Sequence, residues 1–544
     1  MDQGKHNGAR RHIPFLSVNT AESRSTPGAR RHVPVRWITV LVTATLGALL
    51  AACDPTAQEE IVRNPSTAFS DHESTAIGKS ISELAREHPG ESGFEIIRYG
   101  RQAFTARIAL TDLAERSLDV QYYIWQDDPT GRIFAERLVR AADRGVRVRV
   151  LLDDININGR DAQLVALNAH PNIEIRLFNP FAHRSSRALD FLFDMGRVNH
   201  RMHNKVMVMD NAIALVGGRN IGDHYFQVDK DSNFRDLDIV TIGPLVRDIS
   251  NVFDRFWNGE WSVPVEAIGK QAATLEDMRD AVSRMRERIS SDAYPHPLEL
   301  DVEDLRENLD TIINDVAWAP GKVVWDDPSK IFQKGEPGAI HEALHGRLEK
   351  LEHDLFIESA YFVMRDRGIE VARQLEERGV RVRVLTNSLM ANDVLAAHAG
   401  YAKRRKPLVE AGVELYELRP DPGPVDQKII SVKARSALHT KAVVFDAQDV
   451  FIGSYNLDPR SAAINTEAGL YVQSPKIAAD VIDYMNEGID PHNAYRVTLD
   501  DDGDLKWMIE LDGQQIEYHT DPKSSWWQRL LVWFIELLPV ENQL

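Results

Sequence analysis

Apolar positions along the chain follow two alternating spacings, that of amphipathic helices and that of buried strands. The run RIFAERLVRAADRG predicts a helix that ends at Gly145, and VRVRVLLDD after it predicts a strand. The same order returns in the second half, where IEVARQLEERG predicts a helix and VRVRVLTN a strand. This alternation predicts an α/β fold with a mostly parallel or mixed sheet that carries helices on both faces.

Two pairs of matching segments indicate an internal duplication. The octapeptide RGVRVRVL occurs identically at Arg144–Leu151 and Arg378–Leu385. A longer pair, HNKVMVMDNAIALVGGRN at 203–220 and HTKAVVFDAQDVFIGSYN at 439–456, keeps its polar residues at matched positions. Because the two pairs have nearly the same offset, 234 and 236 residues, the chain is predicted to contain two related halves.

The longer pair supplies the candidate catalytic residues. They are the histidine, lysine and aspartate of each copy: His203, Lys205, Asp210, His439, Lys441 and Asp446. A strand places each histidine and its lysine on one face, since side chains alternate with a period of two. The two aspartates have the opposite parity, so we interpret them as turn residues that hold the motif together.

These matched motifs resemble those of the phospholipase D superfamily, and the resemblance implies two phospholipase D-type α-β-α sandwich domains about a pseudo-twofold axis. It also implies a histidine nucleophile. In-line displacement at phosphorus then needs a proton donor on the opposite side, which the second copy would supply. Asn220, Asn456 and Ser454 are predicted to bind the phosphate. The scheme requires no metal and no cofactor, and we expect none.

The resemblance further implies an acid downstream of each motif, which fixes one ring nitrogen of a histidine. Glu467 in NLDPRSAAINTEAG and Asp236 in SNFRDLDIV occupy these positions, with Asp238 as a rival for the second. Tyr123 and Tyr361 occupy matching places on the predicted first strands. They are candidates for the cleft wall or for ordinary core aromatics.

The first 53 residues are predicted to be a signal peptide with a lipobox. A basic leader precedes the 15-residue apolar run Ile38–Ala52, which is shorter than a spanning helix. The chain's single cysteine, Cys53, follows this run directly, so cleavage there would expose a thiol for acylation. Asp54 resembles an inner-membrane retention signal, which favours the periplasmic face of a bacterial inner membrane. A plain signal peptide or an uncleaved anchor is the alternative.

Net charge argues against a nucleic-acid substrate. The formal charge is −18, and the first 52 residues contribute +5, so the chain after the leader carries −23. Such a surface repels the phosphate backbone on which non-specific nucleic-acid binding depends.

Three further segments are interpreted from composition. Residues 263–338 are predicted to form an acidic connector packed on the outside. The pentapeptide HEALH at 341–345 matches a zinc-protease pattern, but its place in the duplication favours a surface helix. The aromatic end WWQRLLVWFIELLPVENQL suits either a membrane interface or a helix packed on the core.

The predicted domain order is a leader, two catalytic domains and a terminal segment. The boundaries are 1–53 signal peptide, 54–92 tether, 93–262 first domain, 263–338 connector, 339–515 second domain and 516–544 aromatic segment.

Within the superfamily the motifs look most like bacterial cardiolipin synthases. This likeness implies a membrane-associated phosphatidyltransferase that uses phosphatidylglycerol, with phosphatidylethanolamine as an alternative donor. It would work through a phosphatidyl-histidine, with His203 as nucleophile and His439 as general acid and then base. A hydrolytic phospholipase D and, less favoured, a superfamily nuclease are the alternatives; the sequence leaves a helper protein open.

Overall fold

Each half of the chain builds one mixed β-sheet. The computed structural model describes residues 61–269, 272–292, 302–332, 336–421, 434–511 and 513–538. The first ten strands are β1 (Ser92–Ile97), β2 (Ser117–Tyr122), β3 (Arg147–Asp153), β4 (Ile173–Phe178), β5 (Val206–Met209), β6 (Ile213–Gly217), β7 (Ser232–Arg235), β8 (Asp238–Ile242), β9 (Ser262–Pro264) and β10 (Ala317–Ala319). The remaining strands are β11 (Gly321–Trp325), β12 (Asp354–Ser359), β13 (Arg381–Asn387), β14 (Glu414–Leu418), β15 (Arg435–Leu438), β16 (Lys441–Phe445), β17 (Asp449–Gly453), β18 (Ala468–Gln473), β19 (Ala494–Leu499), β20 (Leu505–Leu511) and β21 (Gln514–Tyr518).

The two sheets repeat the order of their central strands and differ at their edges. The first runs β10-β1-β8-β6-β5-β2-β3-β4-β9, and the second runs β11-β18-β17-β16-β12-β13-β14-β19-β20-β21. Only β2–β3–β4 and β12–β13–β14 pair in parallel within these sheets; their other neighbours are antiparallel. The duplication and the mixed α/β sheets predicted from the sequence are therefore confirmed. A short parallel pair, β7 with β15, joins the halves.

Helices cover the sheets. In chain order the described helices are α1 (Ala76–Ala85), α2 (Gly100–Leu113), α3 (Pro129–Asp143), α4 (Asp161–Asn168), α5 (Arg187–Phe193), α6 (Met195–Val198), α7 (Leu245–Trp257), α8 (Leu275–Ser291), α9 (Val302–Asp315), α10 (Ala339–Leu348), α11 (Asp366–Glu377), α12 (Leu395–Ala402), α13 (Arg405–Glu410), α14 (Pro459–Ala463), α15 (Pro475–Ile489) and α16 (Trp526–Glu536). Among these described helices, none combines the length and apolarity needed to cross a membrane.

In both halves the repeated octapeptide starts at the C-terminal end of a helix and continues into the next strand. Helices α3 and α11 each end before a glycine with a left-handed backbone, Gly145 at φ 97° and Gly379 at φ 84°. Glycine adopts this conformation without steric cost, which lets the chain reverse directly into β3 or β13. The strands that follow lead to the edge where the functional residues lie.

A shared core joins the two halves. Phe94 and Val208 of the first sheet pack in one buried cluster with Phe356 and Val444 of the second. The cluster also contains residues of α7 and α15. Each half keeps a further core of its own beneath its outer helices. The inner faces of the sheets are therefore buried against each other.

The structure differs from the predicted boundaries at three places. The predicted tether, residues 54–92, contains α1, whose Ile81 lies in the first core. The connector 263–338 contains β10, which pairs with β1, and β11, which pairs with β18, so it completes both sheets. Strand β21 extends the second sheet past residue 515. The leader and Cys53 lie outside the described residues.

Candidate active site

Both motif histidines stand just before a central strand, and the opposite half holds the backbone of each. His203 precedes β5, and its N–H donates to the carbonyl oxygen of Thr466 at 2.8 Å. His439 precedes β16, and its N–H donates to the carbonyl oxygen of Arg235, also at 2.8 Å. The two motifs are thus tied together at the junction of the halves.

The predicted acids engage the histidines across the same junction. Glu467 Oε2 lies 2.8 Å from Nδ1 of His203, and Asp236 Oδ2 lies 2.7 Å from Nδ1 of His439. Each acid directly follows the residue whose carbonyl holds that histidine's backbone, so consecutive residues fix both ring and backbone. Each acid therefore serves the histidine of the other half. The rival, Asp238, is buried in an ion pair with Arg107 at 2.9 Å.

Burial keeps both imidazoles neutral. It lowers the pKa of His203 to about 4, although the charge of Glu467 works in the opposite direction. The pKa of His439 lies well below its usual value, first because of burial and then because of Lys441, Lys205 and His203. The crossed contacts of Glu467 and Asp236 bring the two motifs to the same junction. With Nδ1 of each ring engaged by an acid, Nε2 is the ring nitrogen that remains available to a ligand.

The two motif lysines lie buried beside the histidines. Each ammonium group donates to the carbonyl oxygen of the histidine two residues before it. Nζ of Lys441 also lies 3.1 Å from Nδ1 of His439, and Nζ of Lys205 lies 5.2 Å from the ring centre of Tyr123. Burial lowers the pKa of both lysines. An anionic phosphate in the site would stabilise their charged forms.

Asp210 and Asp446 occupy tight turns, in agreement with their interpretation from strand parity. Their φ angles are 53° and 52°, in the left-handed region that aspartate tolerates in turns. The carboxylate of Asp210 accepts the backbone N–H groups of residues 115–117, and that of Asp446 accepts those of residues 352–354. These members of the candidate catalytic set therefore anchor the start of β2 and β12.

The three predicted phosphate ligands have different surroundings. Asn220 is engaged on both sides: it accepts from the N–H of Ile124 at 3.1 Å and donates to the hydroxyl of Tyr225 at 3.0 Å. The buried Oδ1 of Asn456 has no hydrogen-bond partner among the described residues. The hydroxyl of Ser454 donates to Glu467. Phosphate binding by all three stays a prediction.

Gly218 and Ser454 occupy corresponding positions of the two motifs, and each lies beside the acid that contacts a histidine. A Cβ at Gly218 would lie 2.2 Å from Oδ1 of Asp236, so this position has no room for a side chain. At the second position the longer acid, Glu467, accepts a hydrogen bond from Ser454. The two halves are therefore similar in plan but different in how they support the acid.

Aromatic rings wall the site, and two of them were not predicted. Tyr123 packs edge-on against His203 with 4.8 Å between ring centres. Tyr225 and Phe234 each lie 5.1 Å from His439. Tyr225 sits in a segment that has no counterpart in the second motif, and this difference between the halves was the available signal. The matching Tyr361 donates to Asp393 at 2.9 Å.

The HEALH segment forms part of α10. His341 Nδ1 lies 3.0 Å from the hydroxyl of Tyr455, and the rings of His341 and His345 lie 6.2 Å apart. Within the described ranges, no cluster of three or more His, Cys, Asp or Glu side chains has the arrangement of a metal site.

Two mixed sheets that bring paired His-Lys motifs to one junction define a phospholipase D-type enzyme. A family model described as "Cardiolipin synthase, PLD-like domain" matches residues 108–257 and 345–489, more than half of the chain. The chain therefore belongs to this family of the phospholipase D superfamily and is a phosphatidyltransferase. The resemblance inferred from the motifs is confirmed.

Individual relatives support this assignment. The chain is 37% identical to cardiolipin synthase C of Escherichia coli over 482 residues, which cover 86% of this chain and 99% of that protein. It is 26% identical to cardiolipin synthase A of Pseudomonas putida over 76% of this chain and 71% of that protein. The crystal structure of phosphatidylserine synthase from Haemophilus influenzae shares the fold, with a TM-score of 0.55 and 14% identity over 86% of this chain and 100% of that one.

Proposed function

We propose that the chain makes cardiolipin by transferring a phosphatidyl group to phosphatidylglycerol. The observation that carries this proposal is the crossed pairing, in which Glu467 and Asp236 fix Nδ1 of opposite histidines and leave both Nε2 atoms for one phosphorus. Support also comes from the comparisons, since the relatives from Escherichia coli and Pseudomonas putida are named as cardiolipin synthases. The donor is phosphatidylglycerol, with phosphatidylethanolamine as the alternative.

In the first step, Nε2 of His203 attacks phosphorus and the bond to the head-group oxygen breaks. His439, protonated on Nε2 once the anionic substrate is bound, gives its proton to the departing alcohol. The product of this step is a phosphatidyl-histidine. The buried Lys205 and Lys441 ammonium groups stabilise the charge that develops on the phosphoryl oxygens.

In the second step, His439 acts as the base. It takes the proton from a hydroxyl of phosphatidylglycerol as that oxygen attacks phosphorus, and the bond to His203 breaks. The product is cardiolipin, and both histidines return to their initial states. Water in place of the lipid hydroxyl would give phosphatidic acid, which is the hydrolytic alternative.

The decisive experiment compares lipids extracted from cells that lack cardiolipin after expression of the wild type, His203→Ala or His439→Ala. We expect cardiolipin from the wild type alone. The control is His519→Ala, because His519 lies on the surface and its loss should leave the product unchanged. Purified enzyme that converts phosphatidylglycerol to phosphatidic acid without cardiolipin would contradict transfer. Trapping of phosphate on His439 alone would reverse the two histidine roles.

We further propose that the enzyme works on a membrane surface. Helix α16 is held to the second domain by Val532, yet Trp527 and Phe534 remain 63% and 56% exposed. On α5, Leu192 and Phe193 are 71% and 77% exposed. Exposed aromatic and apolar side chains of this kind settle at a lipid interface. In a co-sedimentation assay with phospholipid vesicles, replacing Trp527 and Phe534 by serine should move the enzyme from the vesicle pellet to the supernatant. Equal sedimentation of the wild type and the double variant would contradict the proposal.

An N-terminal anchor would hold the enzyme at the same surface. We propose export and acylation at Cys53, with the enzyme on the periplasmic face of the inner membrane. Because the chain has one cysteine, labelling with a fatty-acid analogue should disappear completely in Cys53→Ser. Persistent label in that variant, or none in the wild type, would contradict acylation.

A further inference from the structure

A buried polar residue ends the same strand in each half. Asp153 is the last residue of β3 and Asn387 the last of β13, and the two are separated by the 234 residues of the duplication. Their side chains are 0% and 1% exposed. Both follow the identical octapeptide, and neither has a place in the chemistry proposed above. A buried polar group needs hydrogen-bond partners, and these partners reveal what each residue does.

Asp153 holds the chain at the entrance to the first motif. Its Oδ2 accepts the N–H of Met202 at 2.8 Å, and Met202 directly precedes His203. Its Oδ1 accepts the N–H of Ile155 at 2.8 Å and faces Nη1 of Arg201 at 3.1 Å. The carboxylate is therefore surrounded by donors on both oxygens.

Asn387 holds the chain at the same point of the second motif. Its Oδ1 accepts the N–H of Leu438 at 2.8 Å, and Leu438 directly precedes His439. Its Nδ2 donates to the carbonyl oxygens of Leu438 at 2.8 Å and Ala360 at 3.1 Å. The amide faces one donor and two acceptors, a set that a carboxylate does not satisfy.

We propose that Asp153 and Asn387 are positioning residues, each of which sets the place of its own histidine. The peptide before each histidine is fixed by its own half, while the histidine's N–H and Nδ1 are fixed by the opposite half. The Nε2 atom is therefore located from both sides of the junction. A displacement of about 1 Å at a reacting group lowers rates roughly 100-fold. The inference rests on the proposed function, in which both histidines act at phosphorus.

The unlike surroundings make the two residues non-interchangeable. Asp153→Asn turns an amide N–H₂ toward the donors of Ile155 and Arg201, and Asn387→Asp turns a carboxylate toward two carbonyl oxygens. Both substitutions keep the side-chain shape, and both keep an acceptor for the peptide before the histidine. They therefore shift this peptide without opening a cavity.

The first test measures the two histidines directly. Diethyl pyrocarbonate modification followed by peptide mass spectrometry gives a separate rate for His203 and His439 in one sample. We expect Asp153→Asn to change the rate at His203 by at least threefold and leave His439 unchanged, and Asn387→Asp to do the reverse. No change at the variant's own histidine, or equal changes at both, would overturn the inference whatever the reaction is. If Asp153→Asn does not fold, Asp153→Ser takes its place.

The second test uses catalysis, with kcat and KM measured on phosphatidylglycerol and on a phosphatidyl ester of p-nitrophenol. The activated ester needs no general acid, so His439→Ala should keep its first step and His203→Ala should not. On the activated ester, we expect Asp153→Asn to lose the first step as His203→Ala does, and Asn387→Asp to keep it as His439→Ala does. On phosphatidylglycerol, we expect each of these two variants to have a kcat about 100-fold lower and a KM within about twofold of the wild type. If the two histidine variants behave alike, the proposed roles fail. If they differ and the positioning variants do not follow them, the inference fails.

A matched control separates positioning from stability. Asp119 on β2 is also buried and paired with an arginine, Arg149, at 2.6 Å, and its described side-chain hydrogen bonds go to this arginine rather than to a motif histidine. Asp119→Asn should lower the melting temperature and leave both modification rates unchanged. Altered histidine rates in this control would mean that general destabilisation explains the effect, which would overturn the inference.

Discussion

The crossed hydrogen bonds predict which residues are energetically coupled. A buried hydrogen bond from an imidazole N–H to a carboxylate contributes about 2 kcal/mol. We therefore expect a coupling free energy of about 2 kcal/mol between His203 and Glu467, and the same between His439 and Asp236, when each residue is replaced by alanine. The same-half pairs, His203 with Asp236 and His439 with Glu467, should show a smaller coupling, because no hydrogen bond among the described residues joins them. Sequence order alone suggests the same-half pairs.

The assay is a set of four double-mutant cycles on the free energy of unfolding. Stability is the appropriate quantity because either histidine substitution should abolish turnover of phosphatidylglycerol, which leaves no rate of cardiolipin synthesis to compare. Urea-induced unfolding at pH 7.5 reports through tryptophan fluorescence, and an unchanged denaturant slope in all variants shows that the same transition is measured. Both same-half cycles act as internal controls, since they contain the same four substitutions in other combinations.

The outcome discriminates sharply between two arrangements of the site. Coupling in the crossed cycles alone supports a single site shared by the halves. Coupling of equal or larger size in the same-half cycles would refute the crossed pairing, and with it the mechanism proposed from it. Additivity in all four cycles would show that the acids do not hold the imidazoles at all.

Two further predictions follow from the surroundings of the same residues. Burial lowers the pKa of His203 to about 4. Between about pH 6.5 and 4 the unfolded chain therefore binds a proton on this histidine and the folded chain does not, so the free energy of unfolding falls as the pH falls through this window. His203→Gln removes this titration, so between pH 8 and pH 4 its free energy of unfolding should fall by about 3 kcal/mol less than that of the wild type. The same pH dependence in both proteins would contradict the burial argument. Gly218→Ser should reduce cardiolipin synthesis about 100-fold, since its Cβ would lie 2.2 Å from Asp236. Ser454→Gly removes one hydrogen bond to Glu467 but leaves the contact of Glu467 with His203, so it should reduce synthesis less than Gly218→Ser does, and equal effects of the two substitutions would contradict this comparison.

The sequence predicted the duplicated fold and the reactive residues because both leave local signals. The alternation of helix and strand patterns and the repeated octapeptide predict the two sheets. Strand parity alone shows that Asp210 does not share a face with Lys205 and is a turn residue. The partner of each acid was not predictable, because Asp236 and Glu467 are defined by position along the chain, whereas their contacts depend on how the halves dock. The sequence contains no measure of that docking.

Other parts of the structure left weaker signals. Strand β10 has three residues and β11 has five, too few for an apolar period to be distinguished from a loop, so the sequence predicts an external connector where the structure has a strand of each sheet. Asp153 and Asn387 follow identical octapeptides, and their matched places were visible in the sequence. Their significance depends on reaching the peptide before each histidine, which only the folded chain shows.

The link between the sheets also limits how substrates enter and leave. Pro320 alone separates β10 from β11, and its carbonyl oxygen accepts the N–H of Gln473 in the second sheet. A Cβ at the next residue, Gly321, would lie 2.5 Å from Phe94 of the first sheet. A hinge movement that opens the two halves would break these contacts of Pro320 and Gly321. It would also break the crossed hydrogen bonds of both histidines. Under the proposed function, the lipid product would therefore have to leave without a hinge opening of the two halves.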